Sequence, residues 1–167
     1  ANMIESWKTC SNNSNTVVIA SRFIPGGGMK GMNSYGMTSI PQFIRNVRKS
    51  NETLLPVLAS WCLNKVYYRL LRGYCHDSTS GFILGPRLLL NQVSLSGGHG
   101  AYFPGMLEQL RCIGAQVVEV PYIIQLRQHG TSKASGSLLR VFRGGLPYIQ
   151  QIMQISGKQL KARFVSK

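Results

Sequence analysis

The chain has 167 residues, 44% of them hydrophobic, and a mean hydropathy close to zero, enough to bury the core of one domain and too apolar for a disordered chain. Nineteen Lys and Arg against five Asp and Glu give a net charge of +14, which points to an anionic partner: nucleic acid, a phosphorylated ligand or an acidic membrane surface. The acids Glu5, Glu52, Asp77, Glu108 and Glu119 never stand closer than eleven residues, which excludes a metal clamp of sequence-adjacent carboxylates and leaves a glycosidase pair or two-metal nuclease site to be assembled from distant acids.

Residues 3 to 10, MIESWKTC, read as a short helix closed by the polar turn SNNSN. TVVIASRF, 16 to 23, is a β-branched run of buried-strand length that ends at Arg22. The following PGGGMKG has three successive glycines without a Gly-Lys-Ser/Thr ending, so it reads as a mobile connection rather than a phosphate loop. Residues 38 to 50 are irregular and basic, with Arg45, Arg48 and Lys49 within five positions. Residues 54 to 72 place apolar side chains at 54, 58, 62, 66 and 70, a stripe that predicts a helix packed along one side. Ser60 and Asn64 sit one turn apart beside it.

The loop GYCHDSTSGF holds the chain's single Asp, Asp77. A cap or Asx-turn is its structural reading, and orientation of active-site cations its functional one. GPRLLLNQVSL predicts a short helix with Pro86 near its first turn, and AYFPGMLEQLRCIG a helix starting near Pro104 and ending at Gly114. The strand QVVEVPYIIQ then runs into Arg127, His129, Gly130, Ser132 and Lys133. Cations, a hydroxyl and a flexible joint at a strand end suit an anion. In the tail from Ser137, a double glycine and Pro147 predict two short helices. Apolar residues at 138, 142, 146, 149 and 153 with Arg140, Arg143, Lys158, Lys161 and Arg163 make them amphipathic and basic, fit for an anionic membrane surface or for a core contact with a solvated cationic side. Strands separated by helices and ending in functional loops predict an α/β layered fold.

Cys10, Cys62, Cys75 and Cys112 form no Cys-x-x-Cys pair, and His76, His99 and His129 do not stand at zinc-ligand intervals from them. Reduced packing thiols and a cytosolic setting are expected. Cys75 and His76 are a weak dyad signal, because neighbours on a strand point to opposite faces. No run of eighteen apolar residues exists, and ANMIESWKTC lacks the pattern of a signal peptide, so the chain is expected not to cross a membrane by itself.

VVIASRF with its glycines, the span from Asn64 to the DSTSGF loop, GAQVVEVP and RQHGTSK follow one another between residues 16 and 133. In that order they resemble the C-terminal half of a family 2 inverting glycosyltransferase, similar to dolichol-phosphate mannose synthases and related polyprenyl-phosphate glycosyltransferases. The resemblance implies the C-terminal half of a GT-A-like, Rossmann-like domain, with 1–136 as its acceptor-side part and 137–167 as basic amphipathic C-terminal helices. It implies that Arg22, Ser60, Arg127 and Lys133 hold the acceptor phosphate, supported by Asp77, Gly130 and Ser132. Arg offers phosphate a planar fork, Lys a mobile point charge and Ser a donor. Pro56 stands where the family often carries an Arg and Gly105 where it often carries an acid, and Arg45, Arg48 or Lys49 are candidate replacements for the lost cation.

A lipid phosphate is already an anion, so its attack on the sugar needs no strong general base, and no catalytic side chain is assigned in this half. The leaving nucleoside diphosphate calls for Mg or Mn, held in the family by an acidic motif of the N-terminal half, expected ahead of residue 1. The implied partners are polyprenyl phosphate, an anionic membrane surface, a nucleotide-sugar through that other half, and a partner subunit. The implied place is cytoplasmic and peripheral, at the cytoplasmic face of a membrane. The competing expectation is a non-catalytic basic protein that keeps this fold and binds RNA or serves a large assembly.

Overall fold

The computed structural model describes residues 3–10, 14–29, 54–98, 100–124 and 138–165. The cations Arg45, Arg48, Lys49, Arg127 and Lys133, with Gly130 and Ser132, lie outside them.

The architecture is built around β1, Thr16–Ser21, in which every residue is buried. Side chains alternate across a strand, so burial of all six requires cover on both faces. Val17 and Ile19 pack with Leu71, Phe103, Leu107 and Leu110, while Val18 and Ala20 pack with Val120 and the half-buried Met3 and Trp7. One face therefore belongs to helix α1, Met3–Cys10. The other belongs to α4, Tyr102–Cys112, and to the end of α2, Leu54–Leu70. β1 is flanked by β2, Ile83–Leu84, antiparallel with Val18 opposite Leu84, and by β3, Gln116–Pro121, parallel with Val18 opposite Val118. The strand order is β2-β1-β3, and the class is α/β as expected. A one-turn helix α3, Arg87–Leu90, follows Pro86.

Three local expectations change. The glycine-rich stretch is not a loose connection at its start: Gly28 N–H donates to the Tyr122 carbonyl at 3.0 Å and Ile124 N–H to the Gly28 carbonyl at 3.0 Å, which carries the β1–β3 pairing past the end of both strands. Gly27 is buried there, and a Cβ on it would sit 2.5 Å from the Ser21 carbonyl oxygen. Helix α2 exists, but its period-four stripe is not the buried side. Leu58, Cys62 and Val66 are exposed, whereas Asn64, Tyr67 and Leu71 are buried. A step of four residues drifts about 40° around a helix, so a long period-four row winds off any single face.

The tail is one helix rather than two. α5, Leu138–Val165, passes through Pro147. A proline inside a helix costs about 3 kcal/mol, and here the packing of α5 on α2 and α4 outweighs it. The Tyr67 hydroxyl donates to the Tyr148 carbonyl at 2.7 Å, Gln151 and Ile155 are buried, and Gln159 Nε2 donates at 3.0 Å to both the Leu70 carbonyl and the Glu108 carboxylate. Glu108 also receives Arg111 Nε at 2.7 Å and Nη2 at 2.9 Å. Burial acts to raise the Glu108 pKa, but the hydrogen bonds of Arg111 and Gln159 and the charges of Arg111 and Arg72 outweigh it and hold the carboxyl below its ordinary range.

Gly27→Ala is expected to lower stability by about 1–3 kcal/mol, since the facing atoms are backbone and cannot step aside, as read from the denaturant midpoint. Because the Glu108 pKa is depressed on folding, its contribution is present above the unfolded value and is lost as pH falls through the folded one. The melting temperature of Glu108→Gln should lie below that of the parent at about pH 6, and the gap should close as pH falls below the ordinary carboxylate range.

Candidate functional site

Asp77 is fully buried in the middle of the loop between α2 and β2, and an isolated carboxylate there would be costly. Arg22, the first residue after β1, closes on it. Arg22 Nε donates to Oδ2 at 2.7 Å, Nη2 to Oδ1 at 2.6 Å, and the Arg22 backbone N–H to Oδ2 at 2.9 Å. Burial alone would lower the Arg22 pKa, but the hydrogen bonds and charge of Asp77 outweigh it and the guanidinium is held above its ordinary value. The side chains are 11% and 0% exposed, so the pair is almost entirely out of water.

Thr79 and Asn64 extend the pair toward α2. Arg22 Nη2 and Asn64 Nδ2 both donate to the Thr79 hydroxyl at 2.7 Å, and the other Asn64 amide hydrogen goes to the Ser60 carbonyl at 2.9 Å. The Thr79 N–H donates to Asp77 Oδ1 at 3.3 Å, an Asx-type turn. Asp77 thus shapes its own loop and at the same time orients Arg22. Asn64 is buried, and its Oδ1 is left without a donor among the described residues, as is the buried Ser78 hydroxyl.

Asn64 lines a pocket of about 230 Å³ with Phe23, Trp61, Lys65, Tyr68 and His76. Its walls are aromatic: Tyr68 stacks on His76 with centroids 4.7 Å apart, Lys65 Nζ lies 5.6 Å from the Trp61 ring centre, and the Arg22 guanidinium lies 5.3 Å from that of Phe23. His76 is anchored from β3. Its Nδ1 is 2.6 Å from Glu119 Oε2, and the same carboxylate accepts the backbone N–H groups of His76 at 3.0 Å and Asp77 at 3.3 Å. With Nδ1 facing the carboxylate, Nε2 is the ring nitrogen left to the pocket. Cys75 does not form a dyad with His76. It is buried, burial and the Glu119 charge push its thiol pKa well up, and its Sγ meets Glu119 at 3.6 Å.

No protein-family model and no characterised protein matches this chain. The chemistry of the site accordingly rests on its own residues.

Of the residues expected to bind phosphate, Arg22 and Ser60 fall within the described part, joined through Thr79 and Asn64. Arg22 spends much of its charge on Asp77. Lys65, Trp61 and His76 were not singled out by the sequence for this site, and only a helical wheel anchored on Asn64 brings Trp61 and Lys65 to its edge. A divalent metal finds no donor set among the described residues: Asp77 is held by Arg22, Glu108 by Arg111, and Glu119 by His76 and two backbone N–H groups.

Asp77→Asn leaves Arg22 buried without its counter-charge, so a loss of about 3–5 kcal/mol is expected in denaturant unfolding. Restoring volume without charge in the double variant Arg22→Met with Asp77→Leu should recover a large part of that loss.

Proposed function

We propose that this chain forms the acceptor side of a GT-A-like glycosyltransferase, in which a polyprenyl phosphate receives a sugar from a nucleotide-sugar with inversion. The observation that carries this reading is the buried Arg22–Asp77 pair at the end of a parallel strand, tied by Thr79 and Asn64 to an aromatic pocket with Lys65 and His76 in its wall. Open α/β sheets bind ligands at the carboxyl ends of their strands. A prenyl phosphate combines a dianionic head with an apolar chain, and the pocket offers the Lys65 cation beside aromatic faces for the two ends. The order of sequence blocks that resemble those of polyprenyl-phosphate glycosyltransferases supports the same assignment.

In this reading the phosphate oxygen is the nucleophile. It forms the new bond to the anomeric carbon from the face opposite the departing nucleoside diphosphate, whose bond to that carbon breaks. The phosphate enters already ionised, so the chain's task is to hold it and keep water away rather than to remove a proton. Asp77 positions Arg22, and Lys65 with the Nε2 edge of His76 stands at the pocket for the head group. Arg127, Lys133, Gly130 and Ser132 retain their proposed part in holding the phosphate, as do Arg45, Arg48 and Lys49 in replacing a cation. Mg or Mn for the leaving group is assigned to the nucleotide side and not to the described residues.

In this reading the chain sits peripherally at the cytoplasmic face of an anionic membrane, with helix α5 as the contacting surface. Among the described residues no helix is long and apolar enough to cross a bilayer. Leu146, Ile149, Met153, Leu160 and Phe164 are exposed and follow one helical stripe, with the exposed Arg143, Lys158 and Lys161 beside it. The net charge of +14 favours a second reading as well, an RNA-binding or assembly protein.

The test is co-sedimentation of the chain with vesicles carrying a polyprenyl phosphate or, at equal mole fraction, phosphatidylserine. A preference of about tenfold for the prenyl phosphate is expected, reduced by Trp61→Ala and by Lys65→Gln. Equal retention on both vesicles would sink the acceptor reading, and salt-sensitive RNA binding in its place would establish the second one.

A further inference from the structure

A second cavity, of about 390 Å³ and sharing no lining residue with the first, lies among the end of α2, helix α4 and helix α5. Its character differs. Arg72, Arg111 and Lys158 bring three positive charges to its wall and Glu108 one negative charge. Arg111 and Glu108 neutralise each other in a forked pair, so Arg72 and Lys158, both exposed, leave the cavity with an excess of two positive charges.

The polar wall is fixed before any ligand arrives. Gln159 is pinned between the Leu70 carbonyl and Glu108. Gln109 accepts from the Ser94 N–H at 3.0 Å and from its hydroxyl at 3.2 Å and donates back to the Ser94 carbonyl at 3.0 Å. Independently of the cavity, Arg72 has a φ of 56° and is the one non-glycine residue with positive φ among the described residues. The left-handed conformation costs an ordinary residue about 1–2 kcal/mol, and a helix end places glycine there by preference. Glycine stands one position later, at Gly73. Here that conformation closes the helix, with the Arg72 N–H donating to the Arg69 carbonyl at 3.1 Å and the Gly73 N–H to the Tyr68 carbonyl at 2.8 Å, and this cap sets a long cation in the cavity wall.

The geometry points to this cavity as a binding site for a phosphomonoester of a small polyol, such as a monosaccharide phosphate, separate from the acceptor pocket. A phosphomonoester carries close to two negative charges at neutral pH, matching the excess supplied by Arg72 and Lys158. Beyond the fixed Gln109, Gln159 and Ser94, the wall carries Gln151, Gln154 and Ser96, side chains that suit the hydroxyls of a polyol, and the volume lies in the range of small-ligand sites. Binding here rests on Arg72, Lys158 and the α4–α5 junction alone, so it stands or falls apart from the glycosyltransferase reading.

The experiment is isothermal titration calorimetry of the full chain with a hexose 6-phosphate, with inorganic phosphate and with the uncharged hexose. Saturable binding of the hexose phosphate is expected, with inorganic phosphate weaker and the hexose silent. Arg72→Gly and Lys158→Gln should each weaken the hexose phosphate by about tenfold. Arg72→Gly should do so without lowering the melting temperature, since glycine accepts that conformation, and Lys65→Gln in the other pocket should leave binding unchanged. No saturation up to about 10 mM, or affinity indifferent to both Arg72→Gly and Lys158→Gln, would overturn the site. Equal affinity for inorganic phosphate and the hexose phosphate would overturn the polyol part of the assignment.

Discussion

Asp77 has no exposure to water, and everything around it follows from the need to keep its charge compensated. Arg22 supplies that compensation with two side-chain donors and its own backbone N–H, which forces the end of β1 and the loop after α2 into one place. Thr79 relays the constraint to Asn64, which lines the pocket together with Trp61, Lys65 and Tyr68 of the same helix. Removing either charge alone strands the other in a medium where it cannot be solvated. The pair therefore acts as a rivet between strand, loop and helix, and the aromatic pocket inherits its shape from it.

A second carboxylate plays the matching part on the other side of that loop. Glu119 on β3 holds the backbone of His76 and Asp77 as well as the His76 ring, so the loop is gripped from β1 by Arg22 and from β3 by Glu119. A third, Glu108, is held by Arg111 on its own helix and ties α4 to α5 through Gln159. In a chain with +14 net charge and five acids, three of the five hold elements together. Among the described residues Lys65, Arg69, Arg72, Lys158 and Lys161 stay exposed, where they bear on which ligands the molecule can attract.

Much of the framework was legible in the residues. TVVIAS is apolar at successive positions because β1 is covered on both faces, and the helices over 3–10, 54–70 and 102–112 follow from their patterns within a residue or two at each end. The failures share a cause. Pro147 and the two glycines before it are local breakers, and tertiary contacts with α2 and α4 override them. The stripe from 58 to 66 is locally amphipathic, yet α2 turns Asn64, Tyr67 and Leu71 inward instead. The glycines after Pro25 look unconstrained in sequence and are packed against Arg22 and paired with Tyr122 in space.

The sequence by itself determined the α/β class, the strong positive charge, and Arg22 and Asp77 as residues worth attention, because composition, β-branched runs and helix periodicity are local properties. Only the tertiary structure decided that these two residues, 55 positions apart, neutralise each other. Only it decided that Lys65 and His76 share a pocket with Trp61, and that Arg72 and Lys158 meet across a cavity. Which charge faces which, and which face of a helix is wet, depends on what the rest of the chain packs against it, and no local pattern carries that information.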